Sequence, residues 1–401
     1  PAVIDGDTLL VGPGSFAGPI DFTHGSISLL SEFGPDSTFI TVPPGTPYAI
    51  RAIGGVDDRM TINGFTITGG DTCVALKAIN AHISDNVISG ARILGLSLVD
   101  VPDTAQIEDN VIADNAQGIY VYARYAFVQF EHNQLRDNDS TGAGYIYASG
   151  DTSLIRYNQF LRNKNRHPSY PQNGSLSVYG NRMLIHHNSF YADSARDGAL
   201  DIASYQTVDV RNNIVAFSGR HGITAAIVPD QPIFFNNVYA SAGYDYIDLY
   251  PDSGSLSADP MFANPANNDL SLLAGSPCID AGDPGLGPVD PDMTLPDMGA
   301  ISYRSGTSPV VTAVDVLNED PGHIVDSLPT IVWSWIDSLG GQSAYEIQVS
   351  EDLIWDDSTD WLPGVVYSSD TEVVYAGSPL ARAIDYAVRV RLFNGTTWGP
   401  W

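Results

Sequence analysis

A short pattern of apolar and polar positions recurs through the middle of the chain. An apolar residue is followed by two more residues, then Asn, then an apolar pair, as in ISDNVIS, IEDNVIA and IRYNQFL. The asparagines of this pattern, 23 to 30 residues apart, are Asn63, Asn86, Asn110, Asn133, Asn158, Asn188, Asn213 and Asn237. This period predicts a solenoid, because one repeat cannot bury its apolar face alone and must stack on its neighbours.

The segments between the asparagines predict short β-strands. Runs such as GIYVYARYAFVQF are rich in β-branched and aromatic residues, and none keeps an apolar 3.6-residue period long enough for a helix. We therefore predict an all-β fold, a parallel β-helix with about three strands per coil. Each Asn amide is expected to bond the Asn of the next coil, about 4.8 Å away. The alternative is that the asparagines only form surface turns.

The stretch GVDDRMTINGFTITGG and the DNVI and NNIV repeats resemble the secreted right-handed parallel β-helix proteins of the pectate-lyase-like superfamily. The resemblance covers about residues 5–304 and implies right-handed coiling and an extracellular or cell-surface location. It implies no single activity, because this superfamily includes lyases, hydrolases, epimerases and non-catalytic surface proteins. Residues 256–304 resemble the choice-of-anchor segment that closes many bacterial surface β-helix proteins.

A second domain is expected after the linker SGTSP, so that residues 1–304 form the β-helix and residues 305–401 a small β-sandwich. The EIQVS and DYAVRVRLFNGTTWGPW segments resemble fibronectin type III modules, which normally continue past this point, so we expect the module to be cut short. Trp333, Tyr345 and Tyr386 are expected in its core or at a corner. Trp355, Trp361 and Trp398 either pack in the module or, where exposed, stack on a sugar.

Charge and cysteine content exclude some classes of protein. The 401 residues include 47 acidic and 18 basic ones, a net charge of −29, which argues against a general nucleic-acid or anionic-membrane binder. No apolar run approaches the roughly 20 residues of a membrane span. Cys73 and Cys278 are about seven coils apart, or roughly 34 Å, so we expect free thiols unless the later segment folds back along the solenoid.

Alternation along one strand predicts a polar outward face. In GIYVY, Ile119 and Val121 alternate with Tyr120 and Tyr122, so the two tyrosines should point outward. The same offset in later coils extends this face through Tyr145, Tyr147, Ser175, Ser177, Tyr179 and Asp201, and ends it with Tyr246, Asp248 and Tyr250. Aromatic rings pack against sugar rings, so this face is a candidate polysaccharide site. The alternative is that the tyrosines stack only to stabilise the sheet.

Basic residues are concentrated beside this face. Ten of the 18 Lys and Arg lie between Arg124 and Arg220. The 30-residue interval contains the insertion LRNKNRHPSYPQNGS, which brings Arg162, Lys164 and Arg166 together with His167 on one loop. Long loops on a rigid solenoid often carry function, so an anionic polysaccharide is the predicted partner. The alternative is a solvated insertion with no ligand.

The activity is left open between two classes. Uronate β-elimination needs a cation to neutralise the carboxylate and a base to remove the C5 proton, and Lys164, Arg166 and His187 are the catalytic candidates for such a lyase. The candidate substrate-binding residues are Tyr120, Tyr122, Arg124, Tyr145, Tyr147, Arg162, His167, Tyr179 and Asp201. Hydrolysis would instead need two carboxylates in one groove, with Asp139, Asp151, Asp197 and Asp201 available. The competing class is a non-catalytic surface, adhesive or assembly protein.

Two further expectations concern the ends of the solenoid. Asp280, Asp283 and Asp290 lie close together in the closing segment and suggest a Ca²⁺ site, although the spacing matches no EF-hand loop. The alternative is that they are turn and cap carboxylates. At the other end an uncovered first coil would leave backbone groups unpaired, so we expect a cap or another chain there.

Overall fold

A computed structural model shows a chain built almost entirely of β-strands. The described residues are 4–22, 26–150, 152–166, 174–227, 233–251, 253–286, 294–303, 309–317, 319–320, 323–324, 328–336, 342–351, 361, 363–380, 386–393, 398–399 and 401. Among them the only helices are two 3-10 turns, Pro265–Asn267 and Pro284–Leu286. The chain divides into two compact units, Pro1–Tyr303 and Arg304–Trp401.

The first unit is a solenoid in which each coil adds one strand to each of three parallel stacks. Sheet 1 contains Thr8–Val11, Ile27–Ser31, Arg59–Asn63, Asn80–Ser84, Thr104–Glu108, Phe127–Glu131 and Ser153–Arg156. Sheet 2 contains Gly14–Ala17, Thr38–Val42, Thr66–Gly69, Val87–Ser89, Val111–Ala113, Gln134–Arg136, Gln159–Leu161, Ser189–Tyr191, Ile214–Ala216 and Asn237–Tyr239.

Sheet 3 forms the remaining side of the coil. It contains Ile20–Phe22, Tyr48–Ile53, Thr72–Lys77, Leu94–Val99, Ile119–Ala123, Gly144–Ala148, His221–Ile227 and Tyr246–Ile247. Two longer strands, Leu176–His186 and Gly198–Arg211, begin in sheet 3 and end in sheet 1. The chain therefore visits sheets 1, 2 and 3 in that order in every coil.

Apolar side chains fill the interior because strand residues alternate between the inside and the outside of the coil. Ile107, Phe130, Ile155 and Ile185 are paired in register from one coil to the next, and all are fully buried. Burying a side chain of this size stabilises the fold by about 1.5–3 kcal/mol. Each coil thus supplies half of the apolar environment that its neighbour needs, and this confirms the solenoid predicted from the period.

The turn from sheet 1 to sheet 2 carries the predicted asparagine ladder. The Nδ2 group of each Asn donates to Oδ1 of the next at 2.9–3.1 Å, in the order Asn86, Asn110, Asn133, Asn158, Asn188, Asn213 and Asn236. Each Nδ2 also donates to backbone carbonyls, as Asn158 does to Phe130 at 2.8 Å. Buried amides that would otherwise be unpaired are thereby satisfied along the whole column.

Both ends of the predicted ladder were wrong. Asn63 is the last residue of its sheet 1 strand and pairs with Ser84, so Phe65 takes the ladder position and its N–H donates to Asn86 Oδ1. At the other end Asn236 occupies the position, and Asn237 begins the sheet 2 strand. The sequence pattern around these residues matches the repeat, but the strand register is displaced from it.

The closing segment folds back over the outward face of sheet 2. Its antiparallel strands Phe262–Asn264 and Asp269–Leu272 bring apolar side chains against that sheet. The resulting cluster contains Leu161, Ile214, Ala216, Phe262, Leu270, Leu272, Cys278 and Met298. Cys73 and Cys278 are both buried free thiols, as predicted, even though the segment does fold back along the solenoid.

The N-terminal end of the solenoid surrounds an apolar cavity of about 640 Å³. Leu9, Val11, Ile20 and Phe22 line it, and Phe16 is partly exposed at its edge. That a cap or partner chain covers this end stays a prediction.

The second unit consists of small antiparallel sheets that form a sandwich-like region. Its strands are Val310–Leu317, Glu319–Asp320, His323–Ile324, Thr330–Ile336, Ala344–Ser350, Glu372–Val374 and Ala387–Phe393. Trp333 and Tyr345 are buried in the core as expected, with Tyr386 partly buried beside them. Trp361 packs on Tyr375 and Trp398 on Phe393, whereas Trp355 lies outside the described residues.

Candidate functional site

The outward side of sheet 3 carries two columns of tyrosines, and the tyrosines within each column come from successive coils. Tyr120 pairs in register with Tyr145, and Tyr122 with Tyr147. The ring centroids of the first pair are 5.5 Å apart and those of the second 5.0 Å, both in stacked arrangements. We call these four residues together with Tyr179, which continues the second column, the tyrosine face.

The stacking decides which parts of the rings a ligand meets. The planes of Tyr122 and Tyr147 differ by only 15°, so the rings lie one above the other along the solenoid axis. Their faces are largely used against each other, and both side chains are half-buried, so that part of each ring stays accessible. The tyrosine face therefore presents ring edges rather than a flat aromatic platform, and Tyr122 and Tyr147 are its accessible pair.

A buried hydrogen-bond cluster continues the face in the next coils. Ser177 and Asp201 follow Tyr145 in register, and Thr224 follows Asp201. Asp201 accepts hydrogen bonds from the hydroxyl groups of Tyr179 and Thr224, each at 2.9 Å. Burial raises the pKa of Asp201, and burial together with the nearby Asp201 carboxyl raises the pKa of Tyr179. Asp201 is only 3% exposed, and Gly174 packs against it so closely that a Cβ at Gly174 would lie 2.6 Å from the Asp201 Cβ.

The predicted end of this row was wrong. Tyr246 pairs with Ile223 and packs against the interior core, and Ile247 is the register partner of Thr224. The outward tyrosine row therefore ends at Tyr179.

The basic residues of the insertion are paired with carboxylates of the preceding coil. Arg166 lies 2.7 Å from Asp139, and Lys164 lies 4.0 Å from the same carboxyl group. Arg162 forms two hydrogen bonds of 2.8 Å with Asp137, and its guanidinium also donates to the Pro265 carbonyl at 2.9 Å. Arg162 therefore holds the closing segment instead of facing sheet 3. His167 lies outside the described residues.

Arg124 is the predicted binding residue that stays beside the tyrosine face. It follows Tyr120 and Tyr122 at the same alternation, and it is exposed. Its guanidinium lies over the ring of Tyr125, 5.4 Å from the centroid.

His187 does not join Lys164 and Arg166. It lies in the turn between sheets 1 and 2, where its φ is 52°, whereas Lys164 and Arg166 lie in the turn between sheets 2 and 3. Its ring is buried, and burial lowers its pKa to about 3. One strand of sheet 2 separates the two turns, so the structure does not bring these three predicted catalytic residues together.

Of the carboxylates proposed for Ca²⁺, that of Asp283 is used in other contacts. Asp283 accepts hydrogen bonds from Arg211 and from the Gly285 amide, while the Asp280 amide donates to Asp297 at 2.8 Å. Asp290 lies outside the described residues. In the part of the chain that the structure describes, no three His, Cys, Asp or Glu side chains are grouped as metal ligands. The described residues also include no helix long and apolar enough to cross a membrane.

Comparison with known families agrees with this architecture. Residues 45–160 match the family described as a right handed beta helix region. The solenoid is a right-handed parallel β-helix. Residues 315–401 match the Rha78A-like, N-terminal immunoglobulin domain, which supports an immunoglobulin- or fibronectin-like module at the C-terminal side. No curated protein shows a significant match to the chain.

Sequence reasoning missed the carboxylates that pair with the basic insertion and the threonine that completes the Asp201 cluster. Asp137 and Asp139 precede Arg162 and Arg166 by 25 and 27 residues, which is one coil. Thr224 follows Asp201 by 23 residues. Counting one repeat in each direction from every candidate residue would have found all three.

Proposed function

We propose that this protein binds polysaccharide outside the cell or at its surface, through the tyrosine face of the β-helix. The carrying observation is the pair of in-register tyrosine columns on the outward side of sheet 3. Domains of both matched descriptions occur in carbohydrate-active and surface proteins, which supports the same conclusion.

The chemistry of the face suits sugar hydroxyl groups. A tyrosine hydroxyl both donates and accepts a hydrogen bond, and the ring edge beside it is apolar. Stacking between coils holds the rings in place, so little side-chain entropy remains to be lost when a ligand binds. Tyr122 and Tyr147 are half-buried, which leaves part of each ring accessible.

Charge favours a glycan with few anionic groups over a densely charged one. Arg162, Lys164 and Arg166 are already paired with Asp137 and Asp139. Arg124 is exposed directly after the strand of Tyr120 and Tyr122, and can meet an isolated carboxylate. The net charge of −29 opposes the approach of a strongly anionic polymer.

The proposal is binding rather than cleavage. A lyase needs its cation and base at one sugar, and the predicted set is divided between two turns of the coil. Incubation with alginate, pectate and glycosaminoglycans, followed by absorbance of unsaturated uronate, tests the lyase alternative, and we expect no signal.

A glycan array that includes neutral and uronate-containing polysaccharides tests the binding. We expect the wild type to bind at least one class, and the Tyr122→Ala/Tyr147→Ala variant to bind it at least tenfold more weakly, a loss of about 1.4 kcal/mol. Tyr250→Ala, at an 85% exposed tyrosine outside the face, is the matched control and should bind normally. Binding to no glycan, or equal binding by both variants, would contradict the proposal.

A further inference from the structure

Two adjacent histidines form a buried pair at the corner between sheets 1 and 2. His186 ends its strand, and His187 occupies the following turn. Each side chain is buried, and their Nδ1 atoms are 2.9 Å apart. The Nε2 atom of His187 is 2.9 Å from Nδ2 of Asn212, in the next coil. None of these contacts belongs to the tyrosine face.

The backbone determines where the protons of this pair lie. The Oδ1 atom of Asn212 accepts a hydrogen bond from the Asp283 amide at 2.8 Å, so Nδ2 must be the atom that faces His187. Because Nδ2 only donates, Nε2 of His187 carries no proton, and its proton lies on Nδ1. That proton is donated to Nδ1 of His186, whose own proton then lies on Nε2. Both rings are neutral in this arrangement.

Asn212 connects the pair to the closing segment. Besides the bond from the Asp283 amide to its side chain, Asn212 accepts a hydrogen bond of 2.7 Å at its backbone carbonyl from the Gly299 amide. Gly282 packs so closely that a Cβ there would lie 3.0 Å from Asn212 Nδ2. The adjoining Cys278, whose carbonyl accepts from the Met298 amide at 3.0 Å, is fully buried.

We propose that the His186–His187 pair is an acid-sensitive latch that holds the closing segment on the β-helix. A proton added to Nε2 of His187 points at the Nδ2 donor of Asn212. A proton added to Nδ1 of His186 points at the Nδ1 donor of His187. Either event replaces a hydrogen bond by two opposed donors, and displacing Asn212 removes the partner of the Asp283 amide.

The arginines around the histidine pair also disfavour its protonation. Arg156 and Arg211 face the histidines and oppose a further positive charge, while their own partners are Glu131 for the first and Asp209 and Asp283 for the second. Tyr157 stacks on His187 at 5.0 Å, and His132 stacks on Tyr157 at 5.2 Å. Burial, with the nearby arginines, lowers the pKa of His186 to about 4, and burial with His186 lowers that of His187 to about 3.

The direction of the pH effect follows from these values. An unfolded histidine has a pKa of about 6.5, so above that pH the latch is fully stabilising. As the pH falls below about 6.5, the histidines bind protons when the closing segment is released but stay neutral while it is docked on the β-helix. Docking of the segment therefore weakens until about pH 3–4. Against the cost of burial, the Gly285 amide and Arg211 keep the pKa of Asp283 below its usual value, so its carboxyl group is not the one that takes up a proton as the histidines do.

The two cysteines allow release of the segment to be distinguished from unfolding. Cys278 lies in the closing segment and Cys73 in the solenoid core. The rate at which each thiol reacts with 4,4′-dithiodipyridine is measured by mass spectrometry from pH 7 to 4.5 and divided by the rate of the same thiol in the unfolded chain at the same pH, because only the thiolate reacts and its fraction falls with pH. All rates below are these ratios. We expect the Cys278 rate to rise by up to about tenfold per pH unit for each proton taken up, while Cys73 stays protected. Equal exposure of both thiols, or a Cys278 rate independent of pH, would overturn the latch.

Variants connect the effect to the histidines. His186→Asn/His187→Gln keeps an acceptor for Asn212 and removes both titrating groups, so the rise in Cys278 labelling should disappear. His132→Gln is the matched control on the same corner and should retain the wild-type profile. If the double variant is already labelled at pH 7, the ¹⁵N shifts of the wild-type imidazoles decide. Protons on Nδ1 of His187 and Nε2 of His186 support the latch, and the opposite tautomers overturn it.

Discussion

Two outward faces of the same β-helix differ in what covers them. On sheet 2 the outward residues Leu161, Ile214 and Ala216 are apolar and fully buried under the closing segment. On sheet 3 the outward residues Tyr122 and Tyr147 carry hydroxyl groups and stay partly exposed. An apolar outward strand gains free energy only when more chain covers it, whereas a tyrosine column is stabilised by stacking and keeps a hydrated edge. The difference gives the sheet 2 face a role in stability and leaves the tyrosine face accessible for the proposed ligand.

The largest effect is expected where both faces depend on one scaffold. Asn158→Ala removes the donor to the Phe130 and Arg156 carbonyls and the acceptor for Asn133. At roughly 1–3 kcal/mol for each buried group left unpaired, we expect the free energy of unfolding to fall by about 4 kcal/mol in urea denaturation. Asn63→Ala, outside the ladder, should cost less than about 1 kcal/mol. Equal costs would show that the ladder is not the shared scaffold.

The sheet 2 face should respond to loss of its cover. Leu270 in the closing segment is fully buried, so Leu270→Ala should lower the free energy of unfolding by about 2–5 kcal/mol and leave glycan affinity unchanged. Leu273→Ala, three residues away at a 46% exposed position, is the control and should change stability by less than about 0.5 kcal/mol. A loss of glycan binding in Leu270→Ala would mean that the two faces are not independent.

The corner between sheets 2 and 3 contains a second, shorter ladder that ends on a carboxyl group. Asn115, Asn138 and Asn163 donate in turn, and Asn163 Nδ2 donates to Asp193 Oδ1 at 3.2 Å. Asp193 is fully buried, and its Oδ2 has no satisfactory hydrogen bond. Burial raises its pKa to about 8.

Replacing this carboxyl group should remove a pH dependence. Because the folded pKa of Asp193 is raised, the wild type loses about 1 kcal/mol per pH unit as the pH rises from about 4 to about 8. Asp193→Asn should abolish that loss and be more stable than the wild type at pH 8. The new amide would occupy, one coil further along, the position of the Asn163 amide, which donates to the Leu135 carbonyl. Chemical denaturation at pH 5 and pH 8 measures both. If the wild type and Asp193→Asn differ in free energy of unfolding by the same amount at pH 5 and pH 8, the raised pKa of Asp193 is contradicted.

The smallest effect separates two arginines of the same insertion. Arg162 joins Asp137 to the closing segment, so Arg162→Ala should cost about 1–2 kcal/mol. Arg166 forms an exposed pair with Asp139, so Arg166→Ala should cost less than about 0.5 kcal/mol. Thermal unfolding compares them, and a larger cost for Arg166→Ala would reverse the roles given to the two sides of this turn.

Much of the fold follows from the sequence because each coil repeats one physical requirement. A buried Asn must find the Asn of the next coil, so the period itself predicts the stack, and strand alternation then predicts that Tyr120 and Tyr122 face outward. The predicted ends of the ladder were wrong because Asn63 and Asn237 match the sequence pattern but lie two positions and one position away from the ladder. The carboxylate partners of the basic insertion were missed for another reason. Its partners Asp137 and Asp139 lie one coil away, so its net charge depends on register rather than on local sequence.

Oxidative footprinting of the tyrosine side chains tests the central claim most directly. Hydroxyl-radical labelling, with and without the glycan that binds best, reports the accessibility of each ring separately. We predict that the glycan protects Tyr122 and Tyr147 but leaves Tyr250 and Tyr367, both more than four-fifths exposed, labelled as before. Protection elsewhere with Tyr122 and Tyr147 unchanged would show that the glycan does not bind the tyrosine face.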